Sequence, residues 1–286
     1  MKKQRTLISI LIFAFFSIQI YSQISNSETA DQEELELILK KCAEYCERLE
    51  NASLYFICKE EITEEVNNPR RVRSILVESG TFRGNMVPSP WGKNMYIYDY
   101  QLISKENSLD EQRILINENS QGKNDLDAQL KTTRFYHKFI VFGPISLLSQ
   151  KQQKNYEYKI LKNVTYKKEK AVVLEALPKF PQEDNVLYGK IWIRKKDFAV
   201  LKIEWNPELL GNFEEIVQLA EVLNFTPKIT FISEYGFEEN KIRFPNKYSV
   251  EEIYIYRHGG TRFIRSQTTV NYDNYKFFTV DTKVKY

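Results

Sequence analysis

LYGKIWIRKKDFAVLKIEW, Leu187 to Trp205, is the stretch that decides how the rest of the chain is read. Ile191 and Ile193 alternate with Lys190, Trp192 and Arg194. After a polar break, Ala199, Leu201, Ile203 and Trp205 alternate with Val200, Lys202 and Glu204. Period two on both sides of a turn specifies the two half-buried strands of a β-hairpin. A three-residue loop, Lys195 to Asp197, would put Arg194 opposite Phe198 and set Ile191 and Ile193 on one face with Leu201 and Ile203. A slip of one residue would send that apolar set into water, which fixes the register. The opposite face carries Trp192, Phe198 and Val200 near the loop, so it needs cover or an apolar ligand.

The same alternation recurs outward in both directions. Upstream, strands are expected at about 54–63, 72–82, 94–104, 110–117, 156–164 and 171–176. Downstream, they are expected at about 228–237, 242–256, 261–272 and 276–286. Glu239–Asn240, Gly259–Gly260 and Asp273–Asn274 mark turns between them, while polar Asn119 to Asp127 reads as a loop. A helix is expected at about 31–50, capped by Asp31, with Leu35, Ile38, Leu39, Cys42, Tyr45, Cys46 and Leu49 on one stripe. A second, at about 211–223, carries Phe213, Ile216, Val217, Ala220 and Leu223. Phe139 to Leu148 is the most apolar internal run; Gly143–Pro144 splits it into a strand and a short helix or lid, serving as core or as a cavity wall. About ten antiparallel strands with two or three helices specify an α+β fold, mainly antiparallel β, as a single domain over 23–286. A sheet of that length must curl or split, and a curved half-barrel with helices over its concave face satisfies the pattern.

Residues 1–22 read as a signal peptide: Lys2, Lys3 and Arg5 precede an apolar run from Leu7 to Ile20, with cleavage after Ser22. An exported, periplasmic protein is the expectation. Loss of those three cations takes the 41 basic residues of the full chain down to match the 38 acidic ones. A neutral mature chain argues against nucleic acid as a partner. The three cysteines are Cys42, Cys46 and Cys58. In an oxidising compartment Cys46–Cys58 is the expected helix-to-strand disulfide and Cys42–Cys58 the alternative; three buried free thiols are the other reading.

No stretch carries a catalytic signature. His137 and His258 have neither nucleophile nor metal partner at a known spacing. Glu60–Glu61, Glu64–Glu65, Glu214–Glu215 and Glu251–Glu252 are adjacent pairs, and on a strand adjacent side chains point to opposite faces. No enzyme, metal or cofactor is therefore expected.

The order of elements resembles the periplasmic lipoprotein carriers and outer-membrane lipoprotein receptors, the LolA/LolB-like fold. The resemblance rests on the helix from Leu35 to Leu49 running into a strand from Leu54, and on the late hairpin Lys190–Ile191–Trp192–Ile193, Lys195–Lys196–Asp197, Ala199 to Glu204. It implies a half-barrel holding acyl chains in an apolar cavity, lined here by Phe82, Tyr96, Tyr98, Phe139, Val141, Phe142, Trp192 and Tyr235. It also implies a monomeric carrier or sensor whose partners are lipid or lipoprotein acyl chains, with an envelope protein as a further partner. The competing expectation is a non-catalytic envelope protein acting through its surface.

Overall fold

The computed structural model describes residues 31–52, 56–67, 92–105, 108–126, 128–132, 142–180, 188–209, 213–257 and 259–278. The signal segment 1–22 and the expected strand at 72–82 lie outside them. The described strands, in chain order, are β1 (Phe56–Val66), β2 (Gly92–Lys105), β3 (Ser108–Glu118), β4 (Gln121–Leu126), β5 (Tyr156–Tyr166), β6 (Glu169–Pro178), β7 (Gly189–Arg194), β8 (Val200–Trp205), β9 (Phe225–Glu234), β10 (Phe237–Glu239), β11 (Ile242–Phe244), β12 (Lys247–Tyr256) and β13 (Arg262–Phe277). The helices are α1 (31–52), α2 (Gly143–Leu148), α3 (Gln150–Gln153) and α4 (Phe213–Val222).

Eleven strands form one open, curved sheet in the order β4-β3-β2-β1-β13-β12-β9-β8-β7-β6-β5, with antiparallel neighbours throughout. The architecture is the expected α+β half-barrel. Strands β10 and β11 pair only with each other. The sheet is completed where β1 meets β13, the first described strand against the last. That pairing closes a loop of most of the chain, which carries an entropic cost. At the far end the sheet curls strongly: Tyr166, at the tip of the β5–β6 hairpin, donates to Glu234 on β9, and Lys167 Nζ lies 3.0 Å from the same carboxylate.

Helix α1 covers the concave side as its stripe requires. Ile38, Cys42, Tyr45, Cys46 and Leu49 are all buried, none more than 4% exposed. Each large apolar side chain removed from water in this way stabilises the fold by about 1.5–3 kcal/mol. Directional bonds fix the seat. Tyr45 Oη accepts from the Arg243 N–H at 3.0 Å and donates to the Arg243 carbonyl at 3.3 Å, and Cys46 Sγ donates to the Pro144 carbonyl at 3.4 Å.

Three local expectations are corrected. The β7–β8 loop is longer by one residue: Arg194 N–H bonds to the Ala199 carbonyl, and Phe198 sits in the left-handed region at φ 61°. Val200, rather than Ala199, therefore pairs with Ile193, and a bulge at Leu201 then sets Ile203, rather than Leu201, opposite Ile191. The lengthened loop moves Val200 to the helix-covered face, and the bulge rescues the register beyond it. Asp273–Asn274 is not a hairpin turn, because β13 runs through it. Asn274, at φ 55°, bulges β13 against β1 between Ile57 and Lys59. Polar 119–127 is not a loop throughout: Asn119 and Ser120, both with positive φ, make a tight turn into β4, an edge strand exposed at every residue. With no buried face, β4 leaves no alternation for sequence to reveal.

Leu49 is fully buried at the end of the α1 stripe. Leu49→Ala is expected to cost about 2–5 kcal/mol, read as a lowered midpoint in urea unfolding with an unchanged slope; a loss below about 1 kcal/mol would mean α1 is not seated as described.

Candidate functional site

On the flank of α1 lies an open groove of about 1050 Å³ between α1 and the α2–α3 pair. Leu39 and Ala43 of α1, half-buried, face it with buried Phe142 and half-buried Ile145. Glu36, Lys40, Glu44, Glu47 and Glu50 are exposed at its α1 rim, and Lys151 at the opposite one. Gln153 closes one end, its Nε2 donating to the Leu39 carbonyl at 2.7 Å and the Leu148 carbonyl at 2.8 Å. Gly143 is required where α2 begins. A Cβ there would lie 2.4 Å from Tyr235 Oη and 2.9 Å from the Trp205 ring. Gly143 and Pro144 are buried, so this junction is a docking point of α2 and not a hinge.

The structure distributes the expected lining residues over several places. Phe142 borders the groove. Tyr235 is 1% exposed beneath α2, and Tyr98 is fully buried, its oxygen accepting from the Lys131 N–H at 3.1 Å. Burial pushes the Tyr98 phenol up to about 12, so it stays neutral. Tyr96, on β2, is 7% exposed. Trp192 is half-buried on β7, with Lys202 Nζ 4.2 Å from its ring centroid, a cation–π cover for that side of the hairpin. Phe82, Phe139 and Val141 lie outside the described residues, as do His137 and His258. The sequence reading placed Leu39 on the α1 stripe but missed it and Ala43 as groove residues; the signal was Ala43, four residues on, which widens that stripe on the Leu39 side.

The expected Cys46–Cys58 disulfide is not formed. All three thiols are free and buried. Cys46 bonds to Pro144, Cys42 lies 4.0 Å from the Phe198 carbonyl, and Cys58 lies against Tyr275, so the sulfurs serve three different neighbours. Burial raises the pKa of each, which makes them inert as nucleophiles.

Two ion networks hold the sheet around this site. In the first, Arg113 Nε and Nη2 grip Glu60 at 2.6 and 3.1 Å, and Nη1 reaches Glu111 at 2.9 Å. Tyr272 and Tyr100 donate to those carboxylates at 2.9 and 3.0 Å. Burial opposes the guanidinium charge, but the paired carboxylates raise its pKa above the ordinary value. These partners satisfy one another inside the fold, so they are a brace and not converging catalytic groups. In the second, Arg194 binds Asp197 at 2.7 Å, Glu169 at 2.7 Å and Glu238 at 2.9 Å, while Arg243 binds Glu169 at 2.6 Å and Glu238 at 3.0 Å. It locks the β10–β11 hairpin, whose Arg243 backbone holds Tyr45, to β6 and β7. Among the described residues no cluster of His, Cys, Asp or Glu could hold a metal ion. No described helix is long and apolar enough to cross a membrane.

No protein-family model and no curated protein matches the sequence. Among solved structures, the chain is similar to an outer membrane lipoprotein-sorting protein domain from Vibrio parahaemolyticus, at 10% identity over 86% of this chain and 95% of that one, with a TM-score of 0.39. It is also similar to a DUF1329 family protein from Desulfovibrio piger, at 12% identity over 86% and 95%, TM-score 0.35. A LolA superfamily protein from Nitrosomonas europaea is similar at 12% identity over 87% and 95%, TM-score 0.33. The first and third fall in the group that the sequence resembles. At these TM-scores the likeness carries no argument about what this chain does.

The Arg194 network gives a pH signature. Hydrogen bonding from Arg194 lowers the Glu238 pKa; for Asp197, burial pulls upward, but bonds from Arg194 and the Ala199 N–H outweigh it and lower the value. Depressed folded-state values stabilise the fold above the unfolded carboxylate range, near pH 4, and that stabilisation is lost as pH falls through the folded values. Tm should fall steeply from about pH 5 to pH 3. Arg194→Met should lower Tm at neutral pH and flatten the acid limb; parallel acid limbs in the two proteins would rule the network out as its source.

Proposed function

We propose that this protein is a non-catalytic, exported component of the cell envelope that binds acyl chains, of free lipid or of lipidated protein, as a carrier or sensor. Residues 1–22 are its cleaved export signal, and 23–286 act as one LolA-like half-barrel domain in the periplasm. The observation that carries the reading is the groove beside α1, where Leu39, Ala43, Phe142 and Ile145 lie with half-buried Ser146, Ser149, Gln152 and Gln153 between exposed charged groups. Its volume of about 1050 Å³ reaches the upper end of ordinary small-molecule sites. Each methylene buried there contributes about 0.8 kcal/mol. Ten would give about 8 kcal/mol before association and ordering costs, so the net affinity is weaker than micromolar unless a longer chain or a polar contact adds to it. Phe139 and Val141 directly precede Phe142 and extend the same apolar run, so we assign them to the same site. Tyr235, against which Gly143 is docked, supports the α2 wall of the site.

The alternative is a protein that works through its surface. Leu177 and Phe180, 45% and 64% exposed beside the start of β5, favour it. Strand addition at β5 is opposed by a bulge between Ile160 and Lys162 and by the lysines along that edge.

Native mass spectrometry of the mature protein should find co-purified lipid. Ile145→Asp, which puts a carboxylate into the groove, should reduce its occupancy about tenfold or more, with the far-ultraviolet circular dichroism unchanged. Protein free of lipid, and unable to take up added amphiphile, would move the assignment to the surface reading.

A further inference from the structure

The charges around the groove specify which end of a ligand can sit at its mouth. Four carboxylates, Glu36, Glu44, Glu47 and Glu50, border it against two ammonium groups, Lys40 and Lys151. Glu44 is drawn partly away, bound to Lys41 at 2.8 Å, and the hydrogen bond from Lys41 holds its carboxyl below the usual range. Glu36 accepts from the neutral amide of Gln32 at 3.2 Å, which leaves its charge in place. All four carboxylates stand on α1, along one side of the apolar depth, so an alkyl chain laid against Leu39 and Ala43 brings its polar end close to them. A carboxylate or phosphate head would meet an excess of like charge, whereas an ammonium or guanidinium head would meet its complement.

We propose that the groove selects amphiphiles with a cationic polar end, the chemistry offered by an acylated polypeptide segment bearing lysine or arginine, over anionic lipids and free fatty acids. The inference rests on the acyl-chain reading of the groove and adds the sign of the head group. Exposed carboxylates act through solvent, so the selectivity is modest and depends on salt.

Twelve-carbon amphiphiles of equal chain and different head test it, with dodecylammonium, dodecyl maltoside and dodecyl phosphate titrated below their micelle concentrations into the full-length mature protein. At low salt the ammonium should bind about tenfold more tightly than the phosphate, with the maltoside between them, and the spread should shrink to about twofold at 0.5 M salt. The exposed substitutions Glu36→Gln and Glu47→Gln, made together, should shrink it likewise at low salt. Equal binding of all three heads, or tighter binding of the phosphate, would overturn the charge selection while leaving the groove as an acyl site. An undiminished ammonium preference in the double variant would also overturn it. Failure of all three to bind would instead remove the acyl-chain reading, and the head-group inference with it.

Discussion

Tyr45 is where helix and sheet are made to agree. Its hydroxyl accepts from the Arg243 N–H and donates to the Arg243 carbonyl, inside a stripe of α1 that is otherwise apolar and closed to water. Apolar burial alone would let α1 slide or rotate on a curved sheet, because the hydrophobic effect is not directional. The paired bond sets depth and rotation together, and the Cys46 contact to Pro144 ties α2 to the same helix face. Once α1 is fixed, Leu39 and Ala43 have to face the α2–α3 pair. The groove follows from that orientation and from the close docking of Gly143 under Tyr235 and Trp205.

The sheet that receives α1 is not a greasy trough throughout. Its buried face carries Glu60, Glu64, Arg113 and Glu252. Around Arg113, two carboxylates and two tyrosine hydroxyls satisfy the guanidinium and one another. A buried network of this kind adds little net stability over apolar packing, but losing one member strands the rest. It also consumes space and polarity where an acyl chain would otherwise have been expected. Among the described residues, the groove lies on the flank of α1, beside this network and not within it.

Much of the architecture was legible in the sequence because period-two alternation survives wherever one face is buried. The strands around Ile191 and Ile203 follow from it, as the α1 stripe follows from helical spacing and the Gly259–Gly260 turn from its two glycines. What escaped has physical causes. β4 has no buried face, so its residues look like a loop. Asn274 supplies the positive φ of a bulge, which sequence cannot tell from that of a turn. The extra residue in the β7–β8 loop exchanged Val200 for Ala199 beside Ile193, and the bulge at Leu201 kept Ile203 on the face of Ile191 while exchanging it for Leu201 as partner. At the site, Phe142 was read from its apolar run. Tyr98, Tyr235 and Trp192 were chosen as inward aromatics, a property shared equally by residues that line a cavity and residues that fill a core.

The claim on which this account stands is that an alkyl chain lies beside α1 and not beneath it. A fatty chain carrying a terminal diazirine, bound to the mature protein, irradiated and mapped by peptide mass spectrometry, locates it directly. Labels on Leu39, Ala43, Phe142 and Ile145 are the predicted result. Labels concentrated on Tyr96, Tyr98 or Tyr235, which the fold buries, would contradict it.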